Sequence, residues 1–266
     1  MNYKNITVAG SGVLGYQIAF QTAFHGFQVT VYDINDEVLE KAKSKFTRMS
    51  AAFKRDLNAT QEQLDQAFIN LSYSSNLEDA VKDADLVIEA VPENPKVKIS
   101  FYTELAKVAP EKTVFVTNSS TLLPSQFAES TGRPSKFLAL HFANNIWISN
   151  TAEVMGHPGT DTKHFDDVVE FAKSIGMIAL PLYKEQAGYI LNSLLVPLIS
   201  AATDLLMKGV ADHETIDKTW MIGSGAPVGP FGILDIIGMT TAYNINLMTA
   251  VKTKNPLKIK TAEITK

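Results

Sequence analysis

Residues 6–15 read Ile-Thr-Val-Ala-Gly-Ser-Gly-Val-Leu-Gly. A short apolar, β-branched run (6–9) meets glycines at 10, 12 and 15, and helical periodicity then runs over residues 13–25 to a glycine C-cap at Gly26. Residues 28–32 form a second apolar strand that ends at Asp33. This is a β-α-β unit in which Gly10 permits the tight turn, Gly12 lets backbone approach a pyrophosphate and Gly15 lets the helix pack close to the strand. The amides at the helix start then face the phosphates. The glycine pattern alone is weak, but the flanking strand, helix and closing acid make it specific. Asp33 is placed to accept from ribose hydroxyls and would repel a 2′-phosphate. Ile34, Asn35 and Asp36 follow with no arginine, which favours NAD over NADP. A cap for the next helix is a second, compatible role for Asp33. The expected cofactor set here is Gly10, Gly12, Val13, Leu14, Gly15 and Asp33.

Outward from this unit, residues 36–70 carry the periodicity of two helices broken near Asp56-Leu57-Asn58, with Thr60 as N-cap of the second. A minimal β-α-β repeat does not need them, so they are expected to be an insertion projecting from the sheet. Strands are expected at 86–90, 113–117, 137–140, 153–155 and 178–180, with helices at 97–108 and 161–173. This alternation predicts an α/β fold of Rossmann type, with a doubly wound, mostly parallel sheet covered on both faces. After Tyr183 strand patterns vanish and helices are expected at 187–207, 214–222, 230–237 and 240–251. The predicted domains are therefore 1–184, which binds the dinucleotide, and an all-helical 185–266. The apolar stretch 188–207 contains Asn192, Pro197 and Asp204 and is read as a buried helix rather than a membrane span.

Composition narrows the function. A net charge of −4 argues against nucleic acid as a partner, and the absence of cysteine excludes disulfides, thiolate metal sites and a cysteine nucleophile. No metal site is expected. The polar start of the chain shows no signal peptide pattern, and a cytoplasmic protein is expected. Of five histidines, His25, His157, His164 and His213 lie at a helix end, before a proline, on a charged helix and in an acidic loop. His141 instead closes the apolar strand Phe137-Leu138-Ala139-Leu140, where parallel sheets put their ligand sites. Glu153 opens the next strand-like segment. If the two segments are neighbours, the carboxylate can fix the tautomer of the imidazole and stabilise the imidazolium, as alcohol oxidation by a general base requires. Spacing alone favours a satisfied interior histidine over this arrangement.

The ordered set Val8-Ala9-Gly10-Ser11-Gly12-Val13-Leu14-Gly15, Glu89-Ala90-Val91-Pro92-Glu93-Asn94-Pro95-Lys96-Val97-Lys98, Asn118-Ser119-Ser120-Thr121, His141-Phe142, Glu153-Val154, Gly188-Tyr189-Ile190-Leu191-Asn192 and Gly225-Ala226-Pro227-Val228-Gly229-Pro230-Phe231 resembles the L-3-hydroxyacyl-CoA dehydrogenase family, including its 3-hydroxybutyryl-CoA members, over nearly the whole chain. The resemblance implies that His141 is the general base on a 3-hydroxyl, oriented by Glu153. Ser120 would bond the reacting oxygen or the thioester carbonyl, and Asn192 would complete the polar cradle. Glu93, Lys98, Asn118 and Asn144 would lie near the ribose and nicotinamide of NAD. The implied reaction interconverts (S)-3-hydroxyacyl-CoA and 3-ketoacyl-CoA, with short chains favoured. The 36–70 helices would help hold an acyl-CoA thioester, and the C-terminal helices would form a homodimer.

The chain departs from the family after His141-Phe142. Ala143 replaces a phenylalanine, Asn145 a proline, Asn150 a lysine and Ser193 an arginine. These changes should reshape the acyl pocket, with Trp147 filling space, and they bear on substrate more than on reaction type. Two rival readings are a dehydrogenase of a free hydroxy acid (a sugar acid or carnitine-like compound) on the same scaffold, and a non-catalytic NAD-binding protein.

Overall fold

The computed structural model describes residues 3–237. The helix expected at 240–251 lies outside the described residues. The first elements are β1 (Asn5–Ala9), α1 (Gly15–Phe24), β2 (Gln28–Tyr32), α2 (Asp36–Asp56), α3 (Gln61–Ile69), β3 (Leu71–Ser74), α4 (Leu77–Val81), β4 (Leu86–Glu89), α5 (Pro95–Val108) and β5 (Val114–Thr117). They are followed by β6 (Phe137–Phe142), β7 (Thr151–Met155), α6 (Thr162–Ser174), β8 (Ile178–Leu182), α7 (Tyr189–Met207), α8 (His213–Ser224) and α9 (Pro230–Ile237).

All eight strands join one sheet in the order β3-β2-β1-β4-β5-β6-β7-β8, with every pair parallel except β6–β7. Successive side chains of a strand point to opposite faces, and both faces are buried here. Leu86, Ile88, Val114, Val116, Leu138 and Leu140 share one core with Ile18 and Phe20 of α1, whereas Val87, Phe115 and Phe137 share another with Tyr102 and Leu105 of α5. The exception at β6–β7 follows from the connection. Residues 143–150 form a loop instead of a crossover helix, so the chain returns antiparallel.

The two helices over 36–70 form as expected. Asn35 caps α2 through Val38, Asn58 breaks the chain at φ 54°, and Thr60 and Gln63 form a reciprocal capping box at the start of α3. Their role differs from the expected insertion. They are the crossover between β2 and β3, a short edge strand of alternating polar residues that gives little apolar signal in sequence. Nor do they simply project. Leu39, Ala42, Phe46, Met49 and Phe53 are buried at helical spacing along α2, and Phe20 of α1 packs within about 6 Å of the Phe46, Phe53 and Phe68 rings.

Two compact units part between Ile190 and Leu191, six residues beyond the boundary expected at 184/185. Helix α7 is the one described helix long and apolar enough to cross a membrane, and only 11% of it is buried. The expected buried helix is thus an exposed one: Leu194 is 70% and Val196 52% accessible.

Candidate active site

The glycine loop is sterically tight at Gly10 and Gly15 and open at Gly12. Gly10 has φ 98°, and a Cβ there would stand 2.5 Å from the Ala90 carbonyl oxygen. A Cβ on Gly15 would stand 1.7 Å from the Gly10 carbonyl oxygen, so the close contact is made chiefly inside the loop. A Cβ on Gly12 would meet nothing within 4 Å. The start of α1 has no side-chain cap, and Val13 beside it is exposed. Open space above Gly12 and an uncapped helix start fit a bound pyrophosphate. Asp33 closes the loop: its Oδ2 accepts from the Ser11 amide (2.7 Å) and hydroxyl (2.6 Å), and its Oδ1 from the Ile34 amide. It does not cap α2, a role taken by Asn35. Gly15→Ala should abolish or severely lower folded yield. Gly12→Ala should keep its melting temperature while weakening NAD affinity by more than about tenfold, or about 1.4 kcal/mol. Titration calorimetry beside thermal melts separates the two. Unchanged NAD affinity in Gly12→Ala would place the pyrophosphate elsewhere.

The strand register brings His141 and Glu153 together. His141 and Glu153 are directly opposed across β6 and β7, and cross-strand partners of this kind hold their side chains on one face. His141 Nδ1 lies 3.0 Å from Glu153 Oε2, and both residues are at most 5% exposed. The other carboxylate oxygen accepts from the Ile190 amide at 2.9 Å. Because a carboxylate accepts, Nδ1 carries the proton in the neutral ring and Nε2 is left as the acceptor. Nε2 lies 3.2 Å from the Ser120 hydroxyl. The His141 ring thus has the Glu153 carboxylate at one nitrogen and the Ser120 hydroxyl at the other.

Sequence reasoning did not assign a role to Tyr189. Its ring stacks on His141 with centroids 4.4 Å apart and planes 14° apart. Its hydroxyl donates to the Ser119 carbonyl at 2.8 Å. Burial, together with the nearby Glu93 and Glu153 carboxylates, pushes the phenol well above its ordinary range, so it stays a neutral donor. Tyr189 has φ 52°, directly after Gly188 at φ 81°. Such a bend in a bulky residue costs energy and persists only where its surroundings fix it. The Gly188-Tyr189 pair at the end of the strand-rich region was the available signal.

A buried ion network stands beside this pair. Lys98 Nζ, 1% exposed, lies 2.7 Å from Glu89 Oε1 and 3.3 Å from Glu93 Oε2. Glu89 also accepts from the Tyr102 and Thr117 hydroxyls and the Val91 amide. Glu93 Oε1 accepts from the Ser119 hydroxyl and from the amides of Ser120 and Thr121. Burial pushes the Glu93 carboxyl up, but the Ser119 hydrogen bond, the Lys98 charge and the Thr121 hydrogen bonds outweigh it and hold the group below its ordinary value. Asn118 Oδ1 accepts from the Phe142 amide, next to His141, at 3.0 Å. Of the four residues expected near the cofactor, Glu93, Lys98 and Asn118 thus shape the Ser119–Ser120 turn and the end of β6, while Asn144 is exposed in the following loop. Asn192 is carried by α7, in the second unit.

The loop that departs from the family pattern is held at defined points. Asn145 has φ 58°, a conformation closed to the proline of the family pattern. Trp147, expected to fill space in the acyl pocket, is tied to α2. Its indole Nε1 donates to Asp56 at the end of α2 (2.9 Å), and its ring lies 5.9 Å from Phe53. The Asp56 carboxyl is held down to about 2, first by the Arg55 hydrogen bond and then by the Trp147 indole. A cavity of about 360 Å³ lined by Val13, Tyr16, Lys45, Arg48, Met49 and Trp147 lies alongside. Among the described residues no group of His, Asp and Glu could hold a metal ion.

Comparison with known proteins agrees with this architecture. The profile of the 3-hydroxyacyl-CoA dehydrogenase NAD binding domain matches residues 5–186, and that of the 3-hydroxyacyl-CoA dehydrogenase C-terminal domain matches residues 188–266. Human mitochondrial hydroxyacyl-coenzyme A dehydrogenase is 34% identical over 96% of this chain and 82% of its own length. A probable 3-hydroxybutyryl-CoA dehydrogenase of Bacillus subtilis is 31% identical over 92% of this chain and 85% of its own. Among solved structures, a diketoreductase described for substrate-directed dual catalysis of dicarbonyl compounds is 55% identical, with a TM-score of 0.95 over 99% of this chain and 92% of that one. With matching profiles across both parts of the chain, a glycine loop shaped for NAD and the sheet that carries it, the protein belongs to the 3-hydroxyacyl-CoA dehydrogenase family.

Proposed function

We propose that the protein interconverts a secondary alcohol and a ketone β to a second carbonyl, with His141 as the general base, and that short-chain 3-hydroxyacyl-CoA and 3-ketoacyl-CoA are one such pair. The observation that carries the reading is the line Glu153–His141–Ser120, with 3.0 Å and 3.2 Å separations in a buried setting. In the oxidation direction the substrate C3 hydroxyl gives its proton to His141 Nε2. Glu153 holds the ring and balances the imidazolium. The Ser120 hydroxyl donates to the reacting oxygen, where negative charge grows, and Asn192 would add a second donor. Bound NAD supplies the acceptor for the hydride that leaves C3. The reverse path returns that proton from His141 to the alkoxide oxygen.

A second substrate reading has support of its own: small dicarbonyl compounds that carry no coenzyme A. The 55% identical diketoreductase favours it, as does the rewritten 143–150 loop, tied by Trp147 to α2. Lys45 and Arg48 in the cavity beside α2 instead favour a phosphorylated substrate such as a CoA thioester. Oxidation of NADH with acetoacetyl-CoA, free acetoacetate and a CoA-free diketo ester decides between them. Activity on the thioester alone supports the hydroxyacyl-CoA reading, and activity on the diketo ester supports the second. Inactivity on all three, with NADH still bound, would overturn the proposed function in favour of a binding protein.

The exposed apolar side chains of α7 further support a homodimer formed through the C-terminal helices. Light scattering coupled to gel filtration should give twice the chain mass of 29.1 kDa. A monomer at micromolar concentration would count against this assembly.

A further inference from the structure

We infer that Gln17 is a positioning residue that clamps the loop after the catalytic strand to the dinucleotide loop. Gln17 is 3% exposed on α1, two residues past the last motif glycine. Its Nε2 donates to the Val13 carbonyl at 2.7 Å, inside the glycine turn. Its Oε1 accepts from the Asn145 amide at 2.9 Å and, more weakly, from the Ile146 amide at 3.4 Å. One carboxamide thus spans the cofactor loop and the 143–150 loop, across 128 residues of sequence. Its direction is fixed, because the oxygen faces two donors and the nitrogen faces an acceptor.

The grip depends on the residue at which the chain leaves its family pattern. A proline at 145 would have no N–H to donate, and it could not adopt φ 58°. Asn145 does both, since asparagine tolerates the left-handed region. Its carbonyl then accepts from the Ile148 and Ser149 amides, so the turn closes on itself while its amide is held from below. The far side of the loop is tied by Trp147 to Asp56. A loop that starts one residue beyond His141-Phe142 and carries Asn144 is therefore anchored at two points, neither of them supplied by the catalytic pair. The clamp rests on the dehydrogenase reading for its effect on turnover, but not for its geometry.

The test compares Gln17→Met, which removes both halves of the clamp, with Gln17→Glu, which keeps the oxygens that hold Asn145 and Ile146. In Gln17→Met we expect the KM for the ketone substrate to rise by about tenfold or more, because a loosened loop misplaces the groups that orient substrate. NADH affinity measured by fluorescence should change by less than about threefold, since the phosphate-facing amides are untouched. Gln17→Glu should recover most of the substrate KM. A Gln17→Met enzyme with wild-type KM and kcat would overturn the inference, and so would equal losses in both variants. Should Gln17→Met not fold, amide hydrogen exchange in the wild-type protein still decides. Protection of the Asn145 amide well above that of the exposed Asn144 amide supports the clamp, and equal rapid exchange removes it. Exchange data stand even if no ketone substrate is turned over, so failure of the proposed function and failure of the clamp are separable.

Discussion

His141→Ala should lower kcat by about 10³- to 10⁴-fold while leaving NAD affinity nearly unchanged, because loss of a positioned base removes a proton acceptor that matters only in the transition state. The imidazole accepts from Ser120, donates to Glu153 and stacks on Tyr189, so no second base stands ready at Nε2. The glycine loop and Asp33 make their contacts without it, so cofactor titration should be indifferent to the substitution. Single-turnover measurement with saturating NADH reads the chemical step directly. A variant that keeps wild-type turnover would take His141 out of the mechanism. One that loses NAD binding would show that the ring shapes the cofactor site rather than the reaction.

The second large effect concerns stability. Lys98→Met should destabilise the fold by about 3–5 kcal/mol, because breaking a buried ion pair leaves its partner charge without compensation. Glu89 is fully buried, and its one cationic partner among the described residues is Lys98. Tyr102 and Thr117 donate to the same carboxylate, but hydroxyl dipoles do not replace an ammonium. Neutralising the partner should reverse much of the loss, so Glu89→Gln with Lys98→Met should be more stable than Lys98→Met alone. Urea unfolding of the single and double variants measures the difference. A Lys98→Met midpoint equal to wild type would mean that the carboxylates are already well satisfied by their hydroxyl and amide donors. Loss of the network should also disturb the Ser119–Ser120 turn through Glu93, which gives a kinetic readout of the same variant.

How much of this was legible in sequence depended on whether the signal was local. The glycine loop, the paired helices over 36–70 and the Thr60 cap are written in adjacent residues, and they appear where the pattern puts them. His141 and Glu153 were singled out because polar residues stand beside apolar runs there, whereas the structure sets them inside β6 and β7, and only the register shows that they are opposed. Strand β3 was not, since an edge strand of Leu-Ser-Tyr-Ser needs no continuous apolar run, and without it the crossover helices looked like an insertion. Glu89 read as one residue of the apolar strand 86–90, because its partners at 98, 102 and 117 arrive only on folding. Trp147 was assigned to a pocket by size, and its indole bond to Asp56 of α2 was not foreseen because that residue lies 91 residues away in sequence. Exposure of α7 was hidden because apolar periodicity reports a covered face without saying which molecule covers it.

The antiparallel return of β6 into β7 has a consequence for how such an enzyme can diversify. The His141–Glu153 pair, to which we assign the proton transfer, is locked by the ladder between Ala139–Met155 and Phe142–Ala152, on either side of it. A slip of one residue would turn Glu153 to the opposite face, so the ladder cannot drift without ending the chemistry. The connecting loop carries no such obligation. It can be lengthened, stiffened or rewritten between fixed posts, as a tool head is changed on an unchanged shaft. A lineage built on this hairpin can therefore explore new substrates at little risk to its reaction, provided that residues beneath the loop, position 17 foremost, are rewritten in step with it.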